Sequence, residues 1–183
     1  MVRYKLNHMK VIDAIDLIAR ELPNVTQYYL GKILFFADRE HLLDFGRPIT
    51  GDKYVAMEHG PVPSAIRDLL RPGTDSPDEV VRELNSKVEV RNENNLQHVT
   101  SRNASDLKHL SGSDVEYLKD SINKYGKLTF GQLREISHED SAYNEAWNKS
   151  GNANEIDILL WMNEFSNVDL ASSQLAEKAT YGV

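Results

Sequence analysis

Residues 24–63 decide the fold of this chain, and they read NVTQYYLGKILFFADREHLLDFGRPITGDKYVAMEHGPVP. Within them, residues 28–37 are apolar around nearly the whole circumference of a helix for three turns, and Lys32 is the lone exception. A helix that is apolar all round is buried on every side. We therefore expect this helix to be the centre of the structure, with the rest of the chain packed around it.

The two ends of the central helix also carry signals. At its start, Asn24 is predicted to be the N-cap, with Gln27 three residues further on in a pattern similar to a capping box. After residue 37 the sequence turns polar (DREH, 38–41), so we expect the helix to leave the core there and to stop at Gly46.

Beyond the helix the sequence predicts a turn, a strand and a stiff corner. The composition of RPITGD (47–52) is typical of a turn. The segment KYVAM (53–57) has the β-branched and aromatic character of a short strand. The two prolines of GPVP (60–63) hold the chain extended before a third helix opens at Ser64. Such a corner either redirects the chain only or also presents a binding surface, and the sequence leaves both readings open.

Flanking segments predict further helices and a hairpin. A first helix runs from Asn7 or His8 to Leu22, and Asp13, Asp16 and Arg20 occupy its polar side. Segments 87–91 and 96–100 alternate as a β-hairpin around an asparagine-rich turn. Together with residues 54–57 the hairpin is expected to form a three-stranded antiparallel sheet. Further helices are predicted at 78–84 (one turn), 112–125, 130–136, 143–147 and 156–165.

These elements predict an α+β fold that is mainly helical. Helices surround a buried central helix, and a small antiparallel sheet of about three strands packs against them. We expect residues 1–165 to form a single domain and residues 166–183 to form a loosely ordered C-terminal tail.

Composition excludes several classes of function. The chain has no cysteine, which excludes disulfides and thiolate metal sites, and it has no apolar run long enough to span a bilayer. Its formal net charge of −7 disfavours general nucleic-acid binding, because phosphate contacts need clustered Lys and Arg. That charge suits a basic protein partner. A cytoplasmic location is expected, with no membrane and no direct nucleic-acid contact.

Three motifs together resemble a known family. K-x-L-x-F-A-D begins at Lys32, G-x-x-I-T-G-D-x-Y begins at Gly46, and G-P-V-P begins at Gly60. With the strand residues VEV and the helical segment LSGSDVEYLKDSINKYGKLTFGQLREISHEDSAYNEAW, they resemble the SocA-like antitoxin domain, also called the Panacea domain. The resemblance covers residues 8–165.

The resemblance implies a bacterial or prophage gene paired with a toxin gene, whose product neutralises the toxin by direct protein–protein binding. One branch of the family acts instead as an adaptor that delivers its toxin to the Clp protease. Some members carry a DNA-binding segment, but here the family domain begins almost at Met1, so no N-terminal helix-turn-helix is expected.

The sequence offers candidate residues for partner binding and one alternative. Loops held by a rigid element often carry binding residues, and the candidates come from the polar end of the central helix and the segment after it. They are Asp38, His41, Arg47, Tyr54, Glu58, His59, Gly60, Pro61, Val62 and Pro63.

The alternative is a metal-dependent hydrolase. It would use Asp38 and His41, three residues apart on a helix, with Glu58 and His59 from the next segment. That spacing matches no zinc motif, so we expect a binding protein and not an enzyme, with no catalytic residue, metal or cofactor.

Overall fold

The structure is a computed structural model that describes residues 4–103 and 106–164. That part of the chain contains seven α-helices, five short strands and a closing 3₁₀ helix, Ile158–Glu164. The helices are α1 (His8–Glu21), α2 (Gln27–Phe45), α3 (Ser64–Leu70), α4 (Asp78–Lys87), α5 (Gly112–Tyr125), α6 (Phe130–His138) and α7 (Ser141–Trp147). The strands are β1 (Val25–Thr26), β2 (Tyr54–Met57), β3 (Gly60–Pro63), β4 (Val88–Glu93) and β5 (Leu96–Ser101).

Helix α2 is the centre of the structure, as the sequence predicted. Residues 30–38 of this helix are all buried. Helices α1, α3 and α5, strands β1, β3 and β5 and the 3₁₀ helix all contact it. The mainly helical α+β fold around a buried central helix is therefore confirmed, and its core is one continuous apolar cluster.

The strands pair differently from the prediction. The predicted hairpin forms, with β4 antiparallel to β5, but the third strand of that sheet is β1, which pairs with β5 through Val25 and Val99. Strand β2 instead pairs with β3 in a separate two-stranded sheet. The reason is Gly60, whose φ of 98° closes a tight turn and brings the GPVP segment back along β2.

The start of α2 also differs from the prediction. Thr26, not Asn24, is the N-cap, and its hydroxyl accepts the N–H of Tyr29. Asn24 has a φ of 63°. Because the two residues after it pair with β5, the helix cannot begin until they end. The other end is as predicted, since Gly46 closes the helix in the left-handed conformation, with φ of 67°.

Polar residues expected at the surface of α1 and α2 are buried. The prediction that α2 leaves the core after residue 37 holds in part: Glu40, Asp44 and Phe45 are exposed, whereas the side chains of Asp38 and His41 are fully buried. Asp13 and Asp16, expected on the polar side of α1, are fully buried as well. Strands β4 and β5 and helices α4 and α5 cover that side of α1.

The C-terminal elements follow the prediction in part. Helix α5 has the predicted bounds, and Ser111 and Asp114 form its capping box. The last predicted helix, 156–165, is instead the 3₁₀ helix Ile158–Glu164. It starts later because the N–H of Ile156 donates to the carbonyl oxygen of Tyr54 in β2. The predicted tail, 166–183, lies outside the described residues. Among the helices that the structure describes, none is long and apolar enough to cross a membrane.

Candidate functional site

The Asp38 carboxylate, on α2, accepts hydrogen bonds from the segment that follows the helix. One carboxylate oxygen accepts the N–H groups of Ile49 and Thr50, at 2.8 and 3.1 Å. The other accepts the hydroxyls of Thr50 and Tyr54, at 2.7 and 2.8 Å. Burial raises the pKa of the Asp38 carboxyl, and these hydrogen bonds act in the opposite direction. The side chains of Asp38 and Tyr54 thus face each other in the core and offer no surface to a partner.

His41 joins the same turn to the start of α5. Its Nδ1 lies 2.8 Å from the carbonyl oxygen of Arg47, and its Nε2 lies 3.0 Å from the hydroxyl of Ser113. Burial lowers the pKa of His41, which favours the neutral ring. Since a carbonyl only accepts, Nδ1 carries the proton and Nε2 accepts from Ser113. Arg47 is partly exposed and forms an ion pair with Asp114 at 3.0 Å.

The structure does not assemble the four residues of the hydrolase alternative. Asp38 and His41 lie in the core, whereas Glu58 and His59 are exposed in the β2–β3 turn. Across residues 4–103 and 106–164, no group of three or more His, Asp or Glu side chains is placed to hold a metal ion.

The β2–β3 corner instead forms one wall of an apolar groove of about 650 Å³. The opposite walls come from the first turns of α2, the tip of the β4–β5 hairpin and the first residue of α6. The lining residues are Thr26, Gln27, Tyr28, Tyr29, Gly31, Lys32, Met57, His59, Pro61, Val62, Pro63, Ile66, Arg67, Asn92, Asn95, Leu96, Gln97 and Phe130. Four of the ten residues predicted for partner binding line it: His59, Pro61, Val62 and Pro63.

Large apolar side chains are exposed at this groove. Met57, Leu96 and Phe130 are 37%, 52% and 46% exposed. The Phe130 ring packs on Tyr28, with 4.6 Å between ring centroids, and on the edge of His59, at 5.5 Å. These contacts hold the exposed rim in a fixed arrangement, which is what a binding surface requires.

Close packing of β3 on α2 fixes the depth of the groove. A Cβ on Gly31 would lie 3.0 Å from the Pro63 ring, so glycine at this position lets the strand approach the helix. A Cβ on Gly60 would lie 2.5 Å from the ammonium nitrogen of Lys32 and closer still to the Ser137 hydroxyl. Gly60 therefore leaves room for a buried lysine beneath the corner.

Lys32 lies at the floor of the groove and is almost fully buried, at 1% exposure. Its Nζ donates to the carbonyl of Pro61 at 2.8 Å and lies 5.1 Å from the centroid of the Tyr28 ring. No carboxylate of the described residues forms an ion pair with it. Burial lowers the pKa of Lys32 to about 7.

Fourteen of the eighteen lining residues were not predicted from the sequence, among them Tyr28, Lys32, Met57, Leu96 and Phe130. Lys32 had a signal, since it is the single charged residue in the apolar run of residues 28–37. Leu96 and Phe130 had none, because each reaches the groove from a distant part of the chain.

Substituting Gly60 with alanine tests the close packing at the corner. We expect Gly60→Ala to lower the free energy of unfolding by about 3 kcal/mol, since the residue has positive φ and its new methyl meets two buried side chains. The matched control is Gly73→Ala, which has a φ of 67° but no atom within 4 Å of its Cβ. Urea denaturation of both variants checks this, and equal losses would show that backbone strain alone matters.

The fold and groove define a small α+β domain that exposes an apolar groove. The chain belongs to the SocA-like antitoxin family with a Panacea domain, because the model of that family matches residues 30–148 of the 183. The matched range includes β2, β3, the hairpin and α6, which together contribute most of the groove. Comparison with curated proteins and with solved structures gives no match.

Proposed function

We propose that this chain is the antitoxin of a bacterial or prophage toxin–antitoxin pair and that it neutralises its toxin by direct binding at the groove. The observation that carries the proposal is that Met57, Leu96 and Phe130 are exposed around one apolar groove of a SocA-like antitoxin domain. Apolar side chains clustered and exposed in this way are typical of protein–protein interfaces.

The three rim residues supply part of the free energy that a specific complex needs. Completely burying one large apolar side chain is worth about 1.5–3 kcal/mol. Each of the three rim residues has a third to a half of its surface still to bury, so each offers on the order of 1 kcal/mol. The net negative charge of the chain adds long-range attraction for a basic toxin, which raises the rate of association.

Co-expression with the product of the neighbouring gene tests the proposal. We expect the chain to rescue growth and to co-purify with that product. Replacing Leu96 and Phe130 together with alanine should weaken binding at least tenfold, because aromatic and apolar anchors dominate interface energies. Trp147→Ala is the matched control, since Trp147 is as exposed as Phe130 and does not line the groove.

The outcomes separate the possibilities. Failure to rescue growth, together with no co-purification, would contradict the antitoxin proposal. Equal losses in the groove variant and in Trp147→Ala would move the binding surface away from the groove. A complex in which the toxin stays active, with toxin levels that rise when the Clp protease is deleted, would identify a protease adaptor instead.

A further inference from the structure

The groove differs in charge from the rest of the chain. The whole chain carries a net charge of −7, yet among the residues that the structure describes no Asp or Glu lines the groove. Its lining residues that can carry charge are Lys32, His59 and Arg67. A surface so depleted in carboxylates is unusual on an acidic protein, and it leaves the groove suited to a negatively charged group.

Two hydrogen-bond donors at the floor of this groove have fewer acceptors than they could bind. The Lys32 ammonium has three N–H groups and one protein acceptor, the carbonyl of Pro61. The phenol oxygen of Tyr28 is buried and has no hydrogen-bond partner within residues 4–103 and 106–164. Both side chains come from α2 and are one turn apart, so they lie on the same face of the helix. A buried donor without an acceptor costs free energy, which a ligand can recover by supplying the acceptor.

Arg134 adds a positive charge beside the β2–β3 turn. Burial lowers the pKa of His138, and the charges of Arg134, Lys32 and His59 lower it further. Arg134 also donates to the carbonyl of Glu58, at 3.4 Å. The carboxylate of Glu58 belongs to an exposed residue of the β2–β3 turn.

We propose that Lys32 and Tyr28 form a binding site for a carboxylate, carried by an Asp or Glu side chain within an apolar segment of a protein partner. The two carboxylate oxygens accept from the Lys32 ammonium and the Tyr28 hydroxyl, and flanking apolar side chains pack against Met57, Leu96 and Phe130. Both donors are buried in the free protein, so the side chains that cover them move aside when the carboxylate binds. The identity of the partner as a toxin rests on the proposed function. The carboxylate site itself rests on the groove.

The site has a definite dependence on pH. Burial lowers the pKa of Lys32 to about 7 in the free protein, and a bound carboxylate favours the charged amine. Affinity is therefore greatest below pH 7 and falls as the amine loses its proton, by about tenfold between pH 7 and pH 8.5. Burial lowers the pKa of His138, so this ring adds no change of charge over that range. Arg67 and Arg134 stay charged throughout this range.

Selection of peptides on the full-length chain tests the proposal without the toxin. A phage-displayed library of random heptapeptides, panned at pH 6.5, should yield sequences with one acidic residue flanked by apolar residues. A selected peptide and its counterpart with Glu→Gln or Asp→Asn are then compared by fluorescence anisotropy. The acidic peptide should bind at least tenfold more tightly.

Substitutions at Lys32 and Tyr28 test whether these two residues cause the preference for the acidic peptide. Lys32→Met should abolish the preference for the acidic peptide, and Tyr28→Phe, which removes the hydroxyl alone, should reduce it about threefold to tenfold. Lys53→Met is the matched control, because Lys53 is exposed and does not line the groove. Circular dichroism checks that each variant is folded. Lys32→Met should fold normally, because it removes a buried charge that has no carboxylate partner.

Several outcomes would overturn the carboxylate site. These are selection of basic or neutral peptides, absence of any enriched peptide, and a preference for the acidic peptide that survives in Lys32→Met. Displacement of the peptide by submillimolar inorganic phosphate would assign the floor to phosphate instead. A toxin complex that depends on Leu96 and Phe130 but not on Lys32 would remove this inference and leave the proposed function standing.

Discussion

Asp38→Ala is expected to lower the free energy of unfolding by about 3–5 kcal/mol, a large share of the stability of a domain of this size. The substitution removes one acceptor group and leaves four buried donors without partners: the N–H groups of Ile49 and Thr50 and the hydroxyls of Thr50 and Tyr54. It also releases the turn that leads into β2. Chemical denaturation followed by circular dichroism measures the loss.

Asp38→Asn is the matched control, since it keeps the shape and one carbonyl acceptor. We expect it to cost less than half as much, because the Thr50 and Tyr54 hydroxyls can rotate to accept from the new amide. If alanine and asparagine cost the same, the carboxylate is not what holds the turn.

The pH dependence of stability gives a second check on Asp38. Its pKa in the folded protein is raised by burial above the unfolded value. Between these two pKa values the folded state binds more protons, so this group makes the protein less stable as pH rises through that window. Asp38→Asn should remove that contribution. Asp52, whose pKa burial raises to about 6, contributes with the same sign in both proteins.

Lys87→Met is expected to cost about 3–5 kcal/mol, because it leaves a buried carboxylate without its cation. The Lys87 ammonium forms an ion pair with Asp13, and both side chains are buried. The other oxygen of Asp13 accepts the backbone N–H of His109 at 2.9 Å and lies 3.0 Å from the His109 ring. This pair connects the end of α4 to α1 and to the segment before α5, so the loss should appear as global unfolding.

Two controls separate the charge effect from loss of packing. The double variant Asp13→Leu with Lys87→Met should recover most of the stability, because well-packed apolar residues often replace a buried ion pair without net cost. Lys149→Met removes a lysine from an exposed pair with Glu145, and it should change stability by less than about 0.5 kcal/mol. No recovery in the double variant would show that lost packing, not an unpaired charge, causes the effect.

Local sequence patterns predicted much of the fold because their causes are local. The apolar run at residues 28–37, broken only by Lys32, fixes α2 as a buried helix wherever the rest of the chain goes. Helix α5 begins where it was predicted, and the capping box of Ser111 and Asp114 satisfies backbone groups within four residues of that start. The β4–β5 hairpin closes over a two-residue turn, so its pairing also follows from neighbouring residues.

The candidate site was predicted less completely. The corner at residues 60–63 was identified because two prolines and a glycine mark a stiff segment, and it forms a wall of the groove. Asp38, His41 and Tyr54 were also chosen, but they hold the turn from inside the core. Asp38 is polar and follows the apolar run, so it was expected to be exposed. Its burial is possible because residues that follow the helix supply four hydrogen-bond donors to its carboxylate.

The sequence by itself determined the central helix, the ends of most helices, the β4–β5 hairpin and membership of the SocA-like family. Only the tertiary structure decided which strands pair, which aspartates are buried, and that Leu96 and Phe130 meet Tyr28 and Lys32 at one groove. The physical reason is distance along the chain: a helix or a turn forms from residues a few positions apart. A buried charge and a binding groove depend on partners that only folding brings within contact.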